Sequence, residues 1–205
     1  MTDADDGHAA QTTGASDAPE VIRDLAASCR NYVHKSIGVE LDFTRETLPL
    51  LDHYLATVRN DVAERDELRR LIVHAAGAYF GEVVRLTIGG FWRMPSPNVH
   101  DWAVCARPVF LWINPMAAAY DALAAGQDHD GPRSDLRVAP EYRNAVAERL
   151  AALPPASEDE YYLLSTRLEA IEVAAAELQA QMSVAGYEDQ EFDERDYAAE
   201  VPILN

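Results

Sequence analysis

The chain has 205 residues, 48% of them hydrophobic, which is enough for one domain with a substantial core. Its 17 Lys and Arg residues are outnumbered by 35 Asp and Glu residues, so the formal net charge is −18. Nucleic acids and anionic membranes attract proteins of the opposite charge, and this balance disfavours both as partners. The acidic composition predicts a basic protein partner, or it simply reflects the proteome of the host.

Residues 1–18 are acidic, small and polar, and this composition predicts a disordered N-terminal tail. The segment lacks the basic and apolar regions of a secretory signal, and no apolar run approaches the roughly 20 residues that span a bilayer. Cys29 and Cys105 lie far apart and outside any CxxC motif, as expected in a reducing compartment. These features predict a cytoplasmic protein without contact to a membrane.

Three helices are predicted before residue 90. The first ends at Gly38, and the second extends from its N-cap Thr44 to about Asn60. The third covers residues 64–88, and its second half is apolar nearly all round, which indicates a central, buried helix. Its main apolar stripe contains Leu68, Leu71, Ile72, Ala75, Tyr79, Val83 and Leu86.

Two glycines of the third helix, Gly77 and Gly81, lie four residues apart and therefore on one face. Each glycine costs a helix about 1 kcal/mol relative to Ala, so they predict close approach by another backbone.

The pattern then changes from helix to strand. The segments FWRM, WAVCAR and VFLWIN are predicted to be three short strands, separated by turn residues. Trp92, Trp102 and Trp112 fall ten residues apart, one for each strand. This spacing predicts an antiparallel meander whose aromatic face lies on a layer of helices, and a tryptophan-lined ligand cleft is the alternative.

The C-terminal part is predicted to be helical, with a fourth helix after Asn114, a solvent loop over residues 126–135 and a fifth helix from Pro140. A long helix is predicted over residues 157–185, because a capping box at its start precedes an unbroken 3-4 repeat of apolar residues. Its narrow seam predicts packing against one helix of the same chain, with the N-terminal helix favoured. A monomer is therefore expected, and a homodimer through residues 157–185 is the alternative.

The predicted fold is thus α+β. A helix-rich domain over residues 19–186 carries a small three-stranded antiparallel meander, packed on a central buried helix, and a long C-terminal helix. Residues 187–205 are acidic with scattered aromatic residues and are predicted to form a loosely ordered tail.

Few residues carry a recognisable chemistry. The six histidines form no ligand pattern, and the chain has no nucleophile elbow, P-loop or dinucleotide fingerprint, so no catalytic residue, metal or cofactor is predicted. Glu82 lies on an apolar helix face, where an unpaired carboxylate would cost several kcal/mol, and Arg85 is close enough to pair with it. The indole of Trp92, or Arg93, could complete the set. The group is either a structural clamp or, with Tyr79, a binding site.

Two segments together carry a resemblance to a known group of proteins. LDFTRETLPLLDHYL, residues 41–55, and GAYFGEVVRLTIGGFW, residues 77–92, resemble a pattern found in an uncharacterised family of bacterial α+β domains. The resemblance covers about residues 36–125 and implies a compact domain of unknown function, without catalytic residues. Where such domains occur beside toxin systems, it implies an immunity or accessory role. The C-terminal helix and the acidic tail fall outside this pattern.

The sequence therefore predicts a non-enzymatic, acidic protein of the cytoplasm that binds a protein partner, as an immunity-type or adaptor protein does. The alternative is a small-molecule-binding domain or an enzyme that uses Tyr79, Glu82, Arg85 and Trp92 beside an aromatic sheet.

Overall fold

Helices form most of the described chain, and one antiparallel sheet packs against them. The computed structural model describes residues 18–129, 131–132 and 134–198, and within these ranges the chain forms seven α-helices and four strands. The first four helices are α1 (Glu20–Ile37), α2 (Leu48–Val62), α3 (Asp66–Ile88) and α4 (Pro115–Ala124); the others are α5 (Arg143–Ala151), α6 (Glu158–Tyr161) and α7 (Leu164–Ala185). The strands are β1 (Gly90–Arg93), β2 (Ala103–Ala106), β3 (Leu111–Ile113) and β4 (Leu136–Val138). The prediction of an α+β protein is confirmed.

The centre of the protein is α3, which packs along α1 on one side and α4 on another, with the sheet at its C-terminal end. A Cβ atom on Gly77 would lie 2.9 Å from the Cα atom of Met116, so the backbones of α3 and α4 do approach closely there. At Gly81 the space is filled instead by the indole of Trp92, 2.3 Å from the position of a Cβ atom. The last turn ends at Gly89, whose φ of 64° suits glycine.

The burial predicted for two residues of α3 is wrong. Leu71, at the edge of the predicted stripe, is 46% exposed, and Leu86, in the last turn, is 42% exposed, because neighbouring elements cover little of the helix there. By length and composition alone α3 could cross a bilayer, but 78% of its most apolar window is buried inside the protein. A central helix of a packed core has this composition as well.

The sheet has the strand order β1-β2-β3-β4, with every neighbouring pair antiparallel. The prediction of three strands is therefore wrong, since β4 adds a fourth. Its sequence is Leu-Arg-Val, and two apolar residues around an arginine are too few to identify a strand, whereas β3 lies within the longer apolar run VFLWIN.

The tryptophans do not share one face of the sheet. Trp92 pairs with Val104, whereas Trp112 pairs with the next residue of β2, Cys105. Successive residues of a strand face opposite sides, so Trp92 faces the helices and Trp112 lies on the outer face. The predicted single aromatic face is wrong, because equal spacing along a chain does not fix the parity of each strand.

The predicted helix over residues 157–185 is two helices. The capping box of Ser157 and Glu160 forms as predicted, but the chain leaves the helical conformation at Leu163, with ψ at 140°, before α7 begins. Asp52 of α2 causes this break, because its carboxylate accepts hydrogen bonds from the first backbone N–H groups of α7. The apolar seam of α7 packs chiefly against α5 and α2, so α1 is not the partner that we predicted.

Residues 187–198, which we predicted to be loosely held, lie on the outer face of the sheet. The backbone N–H of Phe192 donates to the carbonyl of Arg107 at 2.8 Å. Tyr197 is fully buried, and its ring stacks on Phe110 with centroids 4.5 Å apart. The end of this predicted tail, residues 199–205, and residues 1–17 of the predicted N-terminal tail lie outside the described residues.

Candidate functional site

The predicted clamp on α3 forms around Glu82. Because the chain reverses at Gly89, β1 returns along α3 and carries Trp92 back over Gly81, next to the carboxylate. Oε1 of Glu82 accepts hydrogen bonds from Nε of Arg85 at 2.9 Å and from Nε1 of Trp92 at 2.6 Å. Oε2 accepts from Nη2 of Arg85 at 3.0 Å. The side chains of Glu82 and Arg85 are only 7% and 6% exposed.

This geometry ties the helix to the sheet. Both carboxylate oxygens are occupied by donors from α3 and β1, and burial strengthens such charge-assisted bonds. The arrangement therefore satisfies the requirements of a structural clamp. A role of these residues in binding a ligand stays a prediction.

Tyr79, the fourth predicted site residue, has different partners. Its hydroxyl accepts from the backbone N–H of Phe43 at 2.8 Å and lies 3.0 Å from Oγ1 of Thr47. Burial raises the pKa of Tyr79, so the hydroxyl stays protonated. Phe43 stacks on its ring and has a φ of 65°, which is strained for a bulky residue. Tyr79 thus holds the loop before α2, while the other three predicted residues meet at β1.

A second buried carboxylate, Asp121 of α4, was missed by the sequence reasoning. Its Oδ1 lies 2.9 Å from Nε2 of His129, and its Oδ2 accepts from the backbone and hydroxyl of Ser134 at 3.1 and 2.7 Å. Nη2 of Arg167 lies 3.0 Å from the same oxygen, and its other Nη donates to the Ser134 hydroxyl. The segment over residues 126–135, predicted to be a solvent loop, is therefore anchored to α4 and α7.

The hydrogen-bond partners of Asp121 determine the pKa of its carboxyl group and the reactivity of the Ser134 hydroxyl. Burial alone would raise the pKa of this carboxyl, but the hydrogen bonds from Ser134 and His129 and the charge of Arg167 outweigh burial and lower it. The Ser134 hydroxyl donates to the carboxylate of Asp121 and not to a histidine, and a carboxylate with a lowered pKa is a weak base for activating a nucleophile. An acidic residue among the alanines of α4 was the one available signal, the same signal that revealed Glu82.

The cysteines are unsuited to nucleophilic chemistry. Burial raises the pKa of both Cys29 and Cys105 to about 12, so neither forms a thiolate near neutral pH. Among the described residues, no group of three or more His, Cys, Asp or Glu side chains is arranged to hold a metal ion.

Cavities on the surface of the described part of the chain include a groove and a smaller cleft. The larger, about 620 Å³, is a groove between α1, α2 and α3, and its lining includes Tyr32, Lys35, Tyr54 and Arg65. The smaller, about 220 Å³, is a polar cleft lined by Asp66, Arg69, Arg70, His100, Tyr120 and Gly131. The four residues predicted to form a binding site line neither cavity; they are Tyr79, Glu82, Arg85 and Trp92.

The segment over residues 188–196 presents an acidic strip on the surface. All its acidic residues are exposed, and the strip is held to the sheet by the half-buried Phe192 and by the buried Tyr197 that follows it. The hydroxyl of Tyr197 lies within hydrogen-bond distance of the carbonyls of Ala106, Val109 and Leu111, at 2.7 to 3.2 Å. The acidic residues of the strip are Glu188, Asp189, Glu191, Asp193, Glu194 and Asp196.

Comparison with models of known families, with curated proteins and with solved structures finds no match to this chain. The resemblance of residues 41–55 and 77–92 to a bacterial family therefore stays a prediction.

Proposed function

We propose that the protein is a non-enzymatic binding protein of the cytoplasm, of the immunity or adaptor type, whose acidic strip over residues 188–196 binds a basic protein partner. The strip is the observation that carries the proposal. It concentrates six carboxylates within nine residues and anchors them to the sheet through Phe192 and Tyr197. Because the anchors fix the backbone before binding, little conformational entropy is lost when a partner docks.

The buried acids support a binding protein rather than an enzyme. Asp52, Glu82 and Asp121 each use their carboxylate oxygens to join separate parts of the chain. Burial could have tuned these three acids for catalysis, and each is committed to a structural contact. The other support is the net charge of −18, which attracts a basic partner and accelerates encounter at low salt.

A pull-down from the native host, at low and at high salt, tests the proposal. We expect a basic protein to be recovered stoichiometrically at low salt and to be lost at high salt, because salt screens exposed charges. The decisive variant neutralises Glu188, Asp189, Glu191 and Glu194 as Gln or Asn and leaves the two aspartates that cap the local turn.

A matched control neutralises four exposed glutamates elsewhere, Glu64, Glu141, Glu148 and Glu169. Both variants change the net charge by the same amount, so only the location of the charge differs. Loss of the partner in the strip variant alone supports the proposal. Equal binding by the two variants, or no stoichiometric partner for the wild type, contradicts it.

The alternative function, a small-molecule site or active site that uses Tyr79, Glu82, Arg85 and Trp92, keeps a separate test. A catalytic or ligand-binding Glu82 should lose its activity or ligand on replacement by Gln in a protein that stays folded. A clamp should lose stability instead.

A further inference from the structure

The polar cleft of about 220 Å³ brings several basic side chains together. It lies where the start of α3 meets the turn over Val99–Asp101, α4 and the loop after α4. Among the described residues, Arg69, Arg70 and His100 line it together with the carboxylate of Asp66. Two guanidinium groups and an imidazole therefore lie side by side in a chain that has twice as many acidic as basic residues.

Histidine nitrogens at this place are buried without a hydrogen bond. Nδ1 of His100 and Nε2 of the neighbouring His74 have no partner among the residues that the structure describes, and the two rings lie 6.3 Å apart. Buried polar atoms without a protein partner are uncommon in folded proteins, and these two mark the same region as the cleft. Burial, the neighbouring His100 and the charge of Arg70 together lower the pKa of His74, which reflects the crowding of basic groups.

We propose that this cleft binds a phosphate group, either as the free ion or as part of a small phosphorylated molecule. Arginine donors match the oxygens of a phosphate, and the ring of His100 forms part of the wall beside them. At about 30 Å³ for each water of the liquid, the cleft has the volume of about seven waters. This is room for a phosphate group with a small substituent, and less than the roughly 300–1,000 Å³ of sites for drug-sized ligands.

The residues that line the cleft differ in what they contribute to binding of the ligand. Arg69 donates to Asp66 at 2.8 Å and to the carbonyl of Ala63 at 3.2 Å, so Asp66 offsets part of its charge. Arg70 is exposed and supplies a second guanidinium. Tyr120 forms a wall whose ring lies 5.7 Å from that of His100. These roles make opposite predictions for two substitutions, since Arg70 attracts the ligand and Asp66 repels it.

Calorimetric titration of the full chain with inorganic phosphate, at pH 7 and low ionic strength, tests the proposal. We expect saturable binding at one site. Arg70→Gln should weaken it at least tenfold, and Asp66→Asn should tighten it because it removes the competing carboxylate. Arg149→Gln is the matched control, since Arg149 is also an exposed arginine of a helix but lies on α5. The affinity of this variant for phosphate should equal that of the wild type.

The location of the ligand is checked by the histidine side-chain resonances in NMR spectra. Phosphate should shift the resonances of His100 and leave those of the exposed His53 on α2 unchanged. Methyl phosphate, as a second probe, separates the two sources: tighter binding than inorganic phosphate indicates a phosphorylated molecule, and weaker or equal binding indicates the free ion.

Several results would overturn the proposal. One is a lack of saturable binding of both phosphate probes to the wild type, and another is equal affinity of the Arg70→Gln and Arg149→Gln variants. Acetate that binds as tightly as phosphate would also overturn it, because the cleft would then be a general carboxylate site. None of these results bears on the acidic strip, which lies on the sheet and is tested by its own variants.

Discussion

Glu82→Gln preserves the shape of the buried side chain and removes its charge. The amide oxygen can still accept from Nε of Arg85 and Nε1 of Trp92, as Oε1 of the glutamate does. The amide nitrogen replaces Oε2, which accepts from Nη2 of Arg85 at 3.0 Å. Two donors then face each other inside the protein, and the charge of Arg85 loses the carboxylate with which it pairs.

The size of the effect follows from the burial of the pair. Removing one partner of a buried ion pair costs about 3–5 kcal/mol. Because two of the three hydrogen bonds can persist, we expect the lower value, about 3 kcal/mol. In a domain of this size 1 kcal/mol shifts Tm by about 2–4 °C, so Tm should fall by about 6–12 °C.

Urea unfolding, followed by circular dichroism, measures this loss as a lower midpoint at an unchanged m value. The control is Glu172→Gln, which removes the ion pair between Glu172 and Arg45. Its N–O distance of 3.1 Å is similar, but the pair is far more exposed to solvent. Its cost should stay below about 1 kcal/mol. If Glu82→Gln costs no more than this control, burial of the clamp does not stabilise the fold. Glu82→Leu combined with Arg85→Met should cost less than Glu82→Gln alone, since it leaves no charge buried.

Three further predictions concern other contacts. Asp52→Ala should lower the free energy of unfolding by about 1–3 kcal/mol in urea, since α7 loses its cap; an unchanged midpoint would contradict this. Tyr197→Phe should accelerate amide hydrogen exchange in residues 187–198 and leave α3 unaffected, whereas unchanged exchange would mean that the hydroxyl does not anchor the segment. The pKa of Asp121 is lowered in the folded state, so the unfolded chain takes up the proton first and stability falls as pH drops below about 3.8. Asp121→Asn should weaken this acid-induced loss, and an unchanged pH dependence would refute it.

Local signals in the sequence predicted α3 and its end well. The long apolar pattern predicted the start of the helix within two residues of its observed start, Asp66. Gly89 predicted its last residue, Ile88, correctly. The pairing of Glu82 with Arg85 was also predictable, because the two residues are three positions apart on one helix. Features that depend on residues near each other in the chain were therefore accessible.

Contacts between residues that are distant in the sequence could not be predicted in this way. The break before α7 depends on Asp52, which lies 112 residues before Leu164, and the local capping and apolar signals gave no indication of it. The network around Asp121 joins residues up to 46 positions apart, and the polar cleft joins α3 to a loop more than 50 residues later. Only the folded chain brings such groups together, so helical or strand periodicity carries no information about them.

The position of Tyr197 sets the order in which the outer face of the sheet can be completed. While the ribosome has made residues up to 186 but not yet residue 197, the side chains of Phe91, Phe110 and Trp112 lack the segment that packs over them. A nascent chain that ends between residues 186 and 197 exposes an aromatic surface that other chains can bind. A chain that a protease has cut between these residues exposes the same surface. Chaperone dependence and losses during expression should therefore be governed by the last part of the chain to fold onto the sheet, even though the central helix is complete more than 100 residues earlier.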